Sequence, residues 1–106
     1  MPKYLLQASY TPEGAKGLLK EGGSQRRAAV EAMVKPLGVK LEAFYYSLGE
    51  SDVYIIADAP DNATIAAVSM AVNSTGAVRI KTTVLLSTEE LDSAAKKSID
   101  YRPPGR

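Results

Sequence analysis

The chain has 106 residues, 45% hydrophobic and 24% charged, a composition typical of one globular domain with its own core. Its 13 basic and 12 acidic side chains leave a formal net charge of +1, which predicts no general attraction to nucleic acid or anionic membranes. The absence of cysteine and histidine excludes disulfides, thiol nucleophiles, Ser-His-Asp triads and ordinary zinc or haem sites. We therefore expect no metal and no cofactor, so any acid–base chemistry must use Asp, Glu, Lys or Tyr.

The hydropathy pattern predicts neither a membrane span nor a secretion signal. No apolar run approaches the roughly 20 residues that are needed to cross a bilayer. Residues 1–4, Met-Pro-Lys-Tyr, lead directly into a strand-like segment without the organisation of a signal peptide. We therefore expect a cytoplasmic protein without a membrane partner.

The first part of the chain predicts one strand and two short helices. Residues 3–10 have the character of a strand. The Thr-Pro-Glu motif at 11–13 then supplies a capping hydroxyl, a proline for the first helical position and an acid for the first turn. The glycine pair at 22–23 is expected to end this helix, and Ser24 to cap a second one. Apolar residues at helical spacing continue the second helix until Pro36 and Gly38 end it.

The middle of the chain predicts a β-hairpin followed by a helix. Residues 41–48 and 53–59 are two apolar, aromatic-rich runs on either side of the turn Gly-Glu-Ser-Asp at 49–52. A Pro-Asp-Asn motif at 60–62 then opens a helix over about 62–73.

The last part predicts a fourth strand over 77–86 and a terminal helix over about 88–98. The Ser-Thr-Glu-Glu motif at 87–90 has the pattern of a capping box. We expect a single domain over residues 1–98 and an extended tail over 99–106, because the prolines of the tail cannot continue a helix.

The order β-α-β-β-α-β with one extra helix predicts an α+β, ferredoxin-like fold with a four-stranded antiparallel sheet. Helices should cover one face of the sheet. On the third strand Val53, Ile55 and Ala57 point to one face, while Tyr54 and Ile56 point to the other, so neither face is purely polar. The simplest cover for the second face is another subunit. We therefore predict a dimeric α+β barrel, as a homodimer or a higher homo-oligomer.

The chain carries the turn Gly49-Glu50-Ser51-Asp52 and the runs Gln7-Ala8-Ser9-Tyr10-Thr11 and Arg26-Arg27-Ala28-Ala29-Val30-Glu31. With these and further residues it resembles the GYD family of small bacterial proteins over nearly its whole length. The Gly-x-Tyr-Asp motif that names the family is Gly49-Glu50-Ser51-Asp52 here, so Ser51 replaces the tyrosine. The resemblance implies the same ferredoxin-like fold, and that fold hosts oxygenases, isomerases, haem enzymes and regulators alike. The residues that carry it are Tyr4, Gln7-Ala8-Ser9-Tyr10-Thr11, Gly17, Arg26-Arg27-Ala28-Ala29-Val30-Glu31, Gly38, Phe44-Tyr45, Gly49, Asp52, Pro60-Asp61, Gly76, Arg79, Lys81-Thr82-Thr83 and Tyr101-Arg102-Pro103-Pro104-Gly105.

The polar side of the predicted sheet is the first candidate site. Polar groups above an apolar floor are what a small-ligand pocket requires. The same residues would equally suit a dimer interface in which polar groups pair with one another. Strand alternation assigns to this face the polar residues Gln7, Ser9, Tyr45, Ser47, Tyr54, Asp58, Arg79, Lys81 and Thr83, with Leu5, Ile56 and Leu85 beside them.

Two smaller charged groups are further candidates. Arg26 and Arg27 at a helix start can hold an anion, or Arg27 can simply pair with Glu31 on a solvated helix turn. Arg79 and Lys81, together with Asp58, can bind or steer an acidic ligand. An alternative for this second group is charge on an edge strand that discourages unwanted pairing.

These features support two hypotheses from different functional classes. In the first, the protein binds a small molecule between two sheets or serves as an oligomeric accessory protein. In the second, it is a cofactor-independent oxygenase or isomerase acting on an enolisable substrate. Asp58 or Tyr45 would then transfer the proton, and Arg79 or Lys81 would stabilise the negative charge that develops.

Overall fold

Strands and helices follow one another in the order that the sequence predicts. The computed structural model describes residues 1–106 and contains four strands and four α-helices. A 3₁₀ turn, Lys35–Leu37, follows the second helix. The elements are β1 (Lys3–Tyr10), α1 (Pro12–Glu21), α2 (Gly23–Val34), β2 (Lys40–Tyr46), β3 (Val53–Asp58), α3 (Asn62–Ser74), β4 (Val78–Leu85) and α4 (Thr88–Ala95).

The four strands form one antiparallel sheet in the order β2-β3-β1-β4. The connections through α1–α2 and through α3 place β1 and β3 at the centre, with β2 and β4 at the edges. This is the ferredoxin-like arrangement with an added C-terminal helix, and the predicted fold class is confirmed. Assembly into a dimeric barrel stays a prediction.

Local signals decide where three of the helices begin. The Thr11 side chain accepts a hydrogen bond from the Gly14 N–H, and Asp61 caps α3 in the same way. Ser87 and Glu90 form the predicted capping box at the start of α4. These three helix starts are confirmed.

The start of α2 differs from the prediction. Gly22, not Ser24, precedes the helix, and no side chain caps its N-terminus. Gly22 has a φ of +84°, which a residue with a Cβ rarely adopts, so the chain turns from α1 into α2 through this single residue. Ser24 therefore already lies in the first turn of α2.

Four elements also end earlier than the sequence predicted. β2 ends at Tyr46, because the Asp52 C=O accepts the Ser47 N–H, and the Asp52 N–H turns away to the Ala8 C=O of β1. Ser47 therefore lies in the turn and not on the sheet. β3 and β4 each end one residue earlier than predicted. α4 ends at Ala95, because the Lys97 N–H donates to the Ala94 C=O in a tightened last turn.

The hydrophobic core lies between the sheet and the helices. Alternate residues of the two central strands point into it, and Tyr4 at its base is fully buried, with its hydroxyl donating to Asn62 Oδ1 at 2.5 Å. The buried apolar residues are Tyr4, Leu6, Ala8, Val34, Val39, Phe44, Val53, Ile55, Ala57, Ala59, Ile65, Val68 and Val78.

The C-terminal arm, residues 86–106, stands away from the domain. All of its side chains except that of Pro103 are exposed, and α4 buries none of its residues. The radius of gyration is 17.0 Å, whereas a compact chain of this length has about 13 Å. Leu86, Leu91, Ile99 and Tyr101 are large apolar residues that the arm leaves in solvent. The arm therefore contributes little to the core of its own chain.

Substitution by alanine should have opposite effects on stability at the two glycines of α1, Gly14 and Gly17. A Cβ on Gly14 would overlap the carbonyl oxygen of Ala77, whereas a Cβ on Gly17 would meet nothing within 4 Å. We expect Gly14→Ala to lower the free energy of unfolding by about 1–3 kcal/mol through overpacking. Gly17→Ala should raise it by about 1 kcal/mol through helix propensity. Urea denaturation of both variants measures this, and equal effects would contradict the close approach of α1 to Ala77.

Candidate functional site

One face of the sheet carries no helix, and we call it the open face. It consists of the residues that alternate with the buried ones, and all of them are partly or fully exposed. The open face therefore holds every sheet residue in the predicted ligand-binding set. Its members are Lys3, Leu5, Gln7, Ser9, Lys40, Ala43, Tyr45, Tyr54, Ile56, Asp58, Arg79, Lys81, Thr83 and Leu85.

The strand register sorts the open face into rows that run across all four strands. One row is polar: Tyr45 lies beside Tyr54, Tyr54 beside Gln7, and Gln7 beside Lys81. The next row is mostly apolar and consists of Ala43, Ile56, Leu5 and Thr83. Two phenols, an amide and an ammonium therefore stand next to an apolar strip, which is the combination that a small polar ligand requires.

An ion-pair network closes one end of the open face. Lys3 Nζ lies 2.9 Å from Asp58 Oδ1 and 3.0 Å from Glu42 Oε2. Glu42 is the extra residue of a β-bulge between Leu41 and Ala43, and the bulge allows its side chain to reach Lys3. Asp58 and, to a lesser extent, Glu42 raise the pKa of the Lys3 ammonium by accepting its hydrogen bonds.

The candidate acid–base residues, Asp58 and Tyr45, have different surroundings. Asp58 is neutralised by Lys3, a partner that the sequence analysis did not identify, although alternation from the buried Tyr4 places Lys3 on the same face. Tyr45, the other candidate, has 71% of its surface exposed. Within one chain, neither group lies in an enclosed pocket where burial could adapt it to proton transfer.

The predicted group of Asp58, Arg79 and Lys81 does not form within one chain. In the strand register Asp58 lies beside Lys3, and Leu85 lies on the other side of Lys3. Arg79 instead lies beside Ser9, at the other end of β1. Six residues of strand separate Leu85 from Arg79, or about 20 Å at 3.4 Å per residue. The open face thus has one corner where Lys3 and Lys40 balance Glu42 and Asp58, and a basic corner with Arg79 and Lys81.

Arg26 and Arg27, the predicted anion-binding pair, have separate environments. Arg27 Nε lies 3.1 Å from Glu31 Oε1, and the guanidinium stands 5.8 Å from the centre of the Phe44 ring. Arg26 has no carboxylate within 4 Å and lies next to Tyr10 at the edge of the core. The two guanidinium groups therefore form no common anion site.

The turn between β2 and β3 is anchored to β1 by Asp52. Its carboxylate accepts the Tyr10 N–H at 2.8 Å, and its own N–H donates to the Ala8 C=O at 2.8 Å. Ser51, which stands at the tyrosine position of the Gly-x-Tyr-Asp motif, is only 7% exposed. The turn motif therefore holds the hairpin in register, and its third residue points into the protein.

The comparisons with known proteins place the chain in a family without adding a named relative. The family model described as GYD domain matches residues 4–95. No curated protein and no solved structure matches the chain significantly. No helix combines the length and the apolar character needed to cross a membrane. No group of three or more His, Cys, Asp and Glu residues is arranged to hold a metal ion.

Tyr10 and Tyr46, which lie beside Arg26, predict that the stability of the fold falls at alkaline pH. Burial raises the pKa of Tyr10, and the neighbouring Tyr46 adds to the shift while Arg26 opposes it. Burial likewise raises the pKa of Tyr46, whose hydroxyl donates to the Gly23 C=O at 2.8 Å. Because both pKa values are raised on folding, their contribution to stability is complete below about pH 10 and is lost as the pH rises through the folded values.

Phenolate absorbance followed against pH measures this effect. We expect a late-titrating phase in the folded protein that becomes smaller in Tyr10→Phe and in Tyr46→Phe. Tyr101→Phe, at an exposed position of the C-terminal arm, retains both raised phenols and should retain the phase. An unchanged titration in Tyr10→Phe would contradict the assignment.

Proposed function

The chain belongs to the GYD domain family, and from the geometry of its open face we propose that it works as a homodimer that binds a small molecule between two sheets. The two open faces would be opposed, as in a dimeric α+β barrel. The ligand would lie against the polar row that Tyr45, Tyr54, Gln7 and Lys81 form. A cytoplasmic location stays a prediction from the sequence.

The uncovered apolar row is the observation that carries the proposal. Leu5 and Ile56 occupy the centre of the sheet, on the two inner strands, yet no helix of the chain lies over them. A contiguous apolar strip at the centre of a sheet is typical of an interaction surface. A second sheet about 10 Å away would bury this strip.

The charges of the open face are compatible with a second copy of the chain as the cover. Lys3 and Lys40 balance Glu42 and Asp58 at one corner. Arg79 and Lys81 lie towards the other end of the face on the edge strand β4, so a symmetric dimer can keep the basic groups of its two protomers apart.

The C-terminal arm supports the same assembly. Its apolar residues Leu91, Ile99 and Tyr101 have no cover in their own chain, although the capping box of α4 fixes the start of a regular helix. A well-formed helix that buries nothing in its own chain is suited to packing against another chain. We propose that each arm packs on the partner protomer and strengthens the dimer.

The polar row favours a binding role over catalysis. Lys81 would supply a positive charge, and Tyr54 and Gln7 would supply hydrogen bonds above the apolar row, which suits a small ligand with an electron-rich polar group. Asp58 is already ion-paired with Lys3, and neither it nor Tyr45 lies in an enclosed pocket of the chain. Binding without chemistry is therefore the better-supported function.

Native mass spectrometry with matched variants tests the dimer. We expect the wild-type protein to be a dimer. Ile56→Glu should be monomeric, because two carboxylates would be buried in the apolar row of the dimer. Thr83→Glu, at an exposed position of the same row, should weaken the dimer with less risk to the fold. Leu19→Glu, at an exposed apolar position of α1, is the control and should remain dimeric.

The same spectra test the ligand. A small molecule that is retained by the dimer from the native source, and lost in Lys81→Ala, would support binding between the sheets. A monomeric wild type, or a dimeric Ile56→Glu that is still folded by circular dichroism, would contradict the proposed assembly. A dimer that never carries a small molecule would leave only the structural role.

Truncation of the C-terminal arm tests its contact with the partner. A chain that ends at Leu86 should keep its thermal stability as a dilute monomer, since α4 buries no residue in its own chain. Its dimer should dissociate at higher protein concentration than that of the full chain, which sedimentation velocity measures. A chain that ends at Ser98 separates the effect of α4 from that of the tail. Equal dissociation constants for all three chains would show that the arm makes no contact with the partner.

A further inference from the structure

A cavity lies on the other side of the sheet, between the strands and helices α2 and α3. Its volume is about 50 Å³, and 16 of its 17 lining residues are hydrophobic. Val30, Met33 and Val34 line it from α2, and the side chains of Ile65, Val68 and Val72 line it from α3. Protein interiors are normally close-packed, so an apolar space of this size in a small core is a feature that requires an explanation.

The placement of the helices accounts for the cavity. α2 packs over β2, at one edge of the sheet, and α3 packs over β4, at the other edge. The small side chain of Ala8 lies on the central strand β1 between them. The two helices therefore straddle the centre of the sheet and leave a space above Ala8 that neither of them fills.

The cavity opens to the surface beside Arg26. Five of its lining residues also line an outer groove of about 360 Å³ between α1, α2 and the start of β4. Arg26 is the only charged residue that lines the cavity. An apolar interior thus ends at a guanidinium group that faces a groove open to solvent. The five shared residues are Tyr10, Arg26, Met33, Val72 and Val78.

Arg26 is free to bind an anion. It is half-buried and has no carboxylate within 4 Å, whereas its neighbour Arg27 is paired with Glu31. A guanidinium group matches the two oxygens of a carboxylate with two parallel hydrogen bonds. Glu13 and Glu21 also line the outer groove, and their charges oppose a ligand with more than one negative charge. The site therefore favours a monocarboxylate over a phosphate.

We propose that this cavity is a binding site for a small monocarboxylate with a short apolar group. The apolar group would enter the space above Ala8, and the carboxylate would bind Arg26 with the Tyr10 hydroxyl beside it. A water-sized group occupies about 10–15 Å³ on this measure of volume, so the cavity accepts about three to five such groups without rearrangement. A branched aliphatic group of three or four carbon atoms matches that size. The site is separate from the open face and does not depend on dimer formation.

Methyl NMR with small probe molecules tests the site directly. Isovalerate and isobutyrate should cause saturable shifts in the methyl signals of Val30, Met33 and Val72. Acetate has no apolar group to fill the cavity, and isoamyl alcohol has no carboxylate for Arg26. Each of these two probes should therefore bind more weakly than isovalerate.

Matched arginine variants identify the anion-binding group. Arg26→Gln should weaken isovalerate binding about ten- to a hundredfold, since it removes a charge-assisted pair. Arg27→Gln changes the neighbouring arginine, which is engaged by Glu31, and should leave the affinity unchanged. Val30→Phe should block binding by filling the cavity while Arg26 is kept. Circular dichroism and the undisturbed methyl spectrum verify that each variant is folded.

Two outcomes would overturn the proposal. One is the absence of saturable shifts with both carboxylates in the folded wild-type protein. The other is an equal affinity of Arg26→Gln and Arg27→Gln for isovalerate. If Arg26→Gln does not fold, equal affinities of the wild type for isovalerate and isoamyl alcohol would overturn it instead.

Discussion

The sheet has apolar residues on both faces, but helices cover only one of them. Tyr4, Leu6 and Ala8 point from β1 into the core, while Leu5 on the same strand points to the open face. The helices α1, α2 and α3 lie on the core side, and α4 extends away in the C-terminal arm. The second apolar surface and the arm are thus left without a cover in one chain, and both point to an assembly of several chains.

The Gly-Glu-Ser-Asp turn links the family signature to this architecture. Asp52 binds the backbone of β1 at Tyr10 and Ala8, so it fixes the hairpin against the central strand and sets which residues of β3 face the core. Ser51 is enclosed beside it, at the tyrosine position of the Gly-x-Tyr-Asp motif. A larger side chain at this position would have to displace its neighbours or turn outward. The aspartate of the motif therefore has a structural role that does not require the tyrosine.

Local patterns predicted most of the fold, and contacts between distant residues account for what they missed. The caps at Thr11, Asp61 and Ser87 use residues within one helical turn, so the sequence is sufficient to place them. The start of α2 was misplaced because the positive φ of Gly22, and not a side chain, begins that helix.

The candidate sites were harder to predict for the same reason. Alternation placed the polar residues on one face except for Ser47, which lies in the turn, yet the hydrogen bond between Lys3 and Asp58 depends on pairing across 55 residues of sequence. The separation of Arg26 from Arg27 depends on how α2 packs over the sheet. The opposition of two open faces can be tested directly, because the chain contains no cysteine. A nitroxide on Gln7→Cys labels the middle of the open face on the inner strand β1, and one on Ala66→Cys labels the outer side of α3, so electron paramagnetic resonance can measure distances between protomers. Opposed sheets lie about 10 Å apart, so we expect dipolar broadening between the two labels at residue 7 and a longer distance at residue 66. No coupling between protomers at residue 7, or a shorter distance at residue 66, would contradict the opposed sheets.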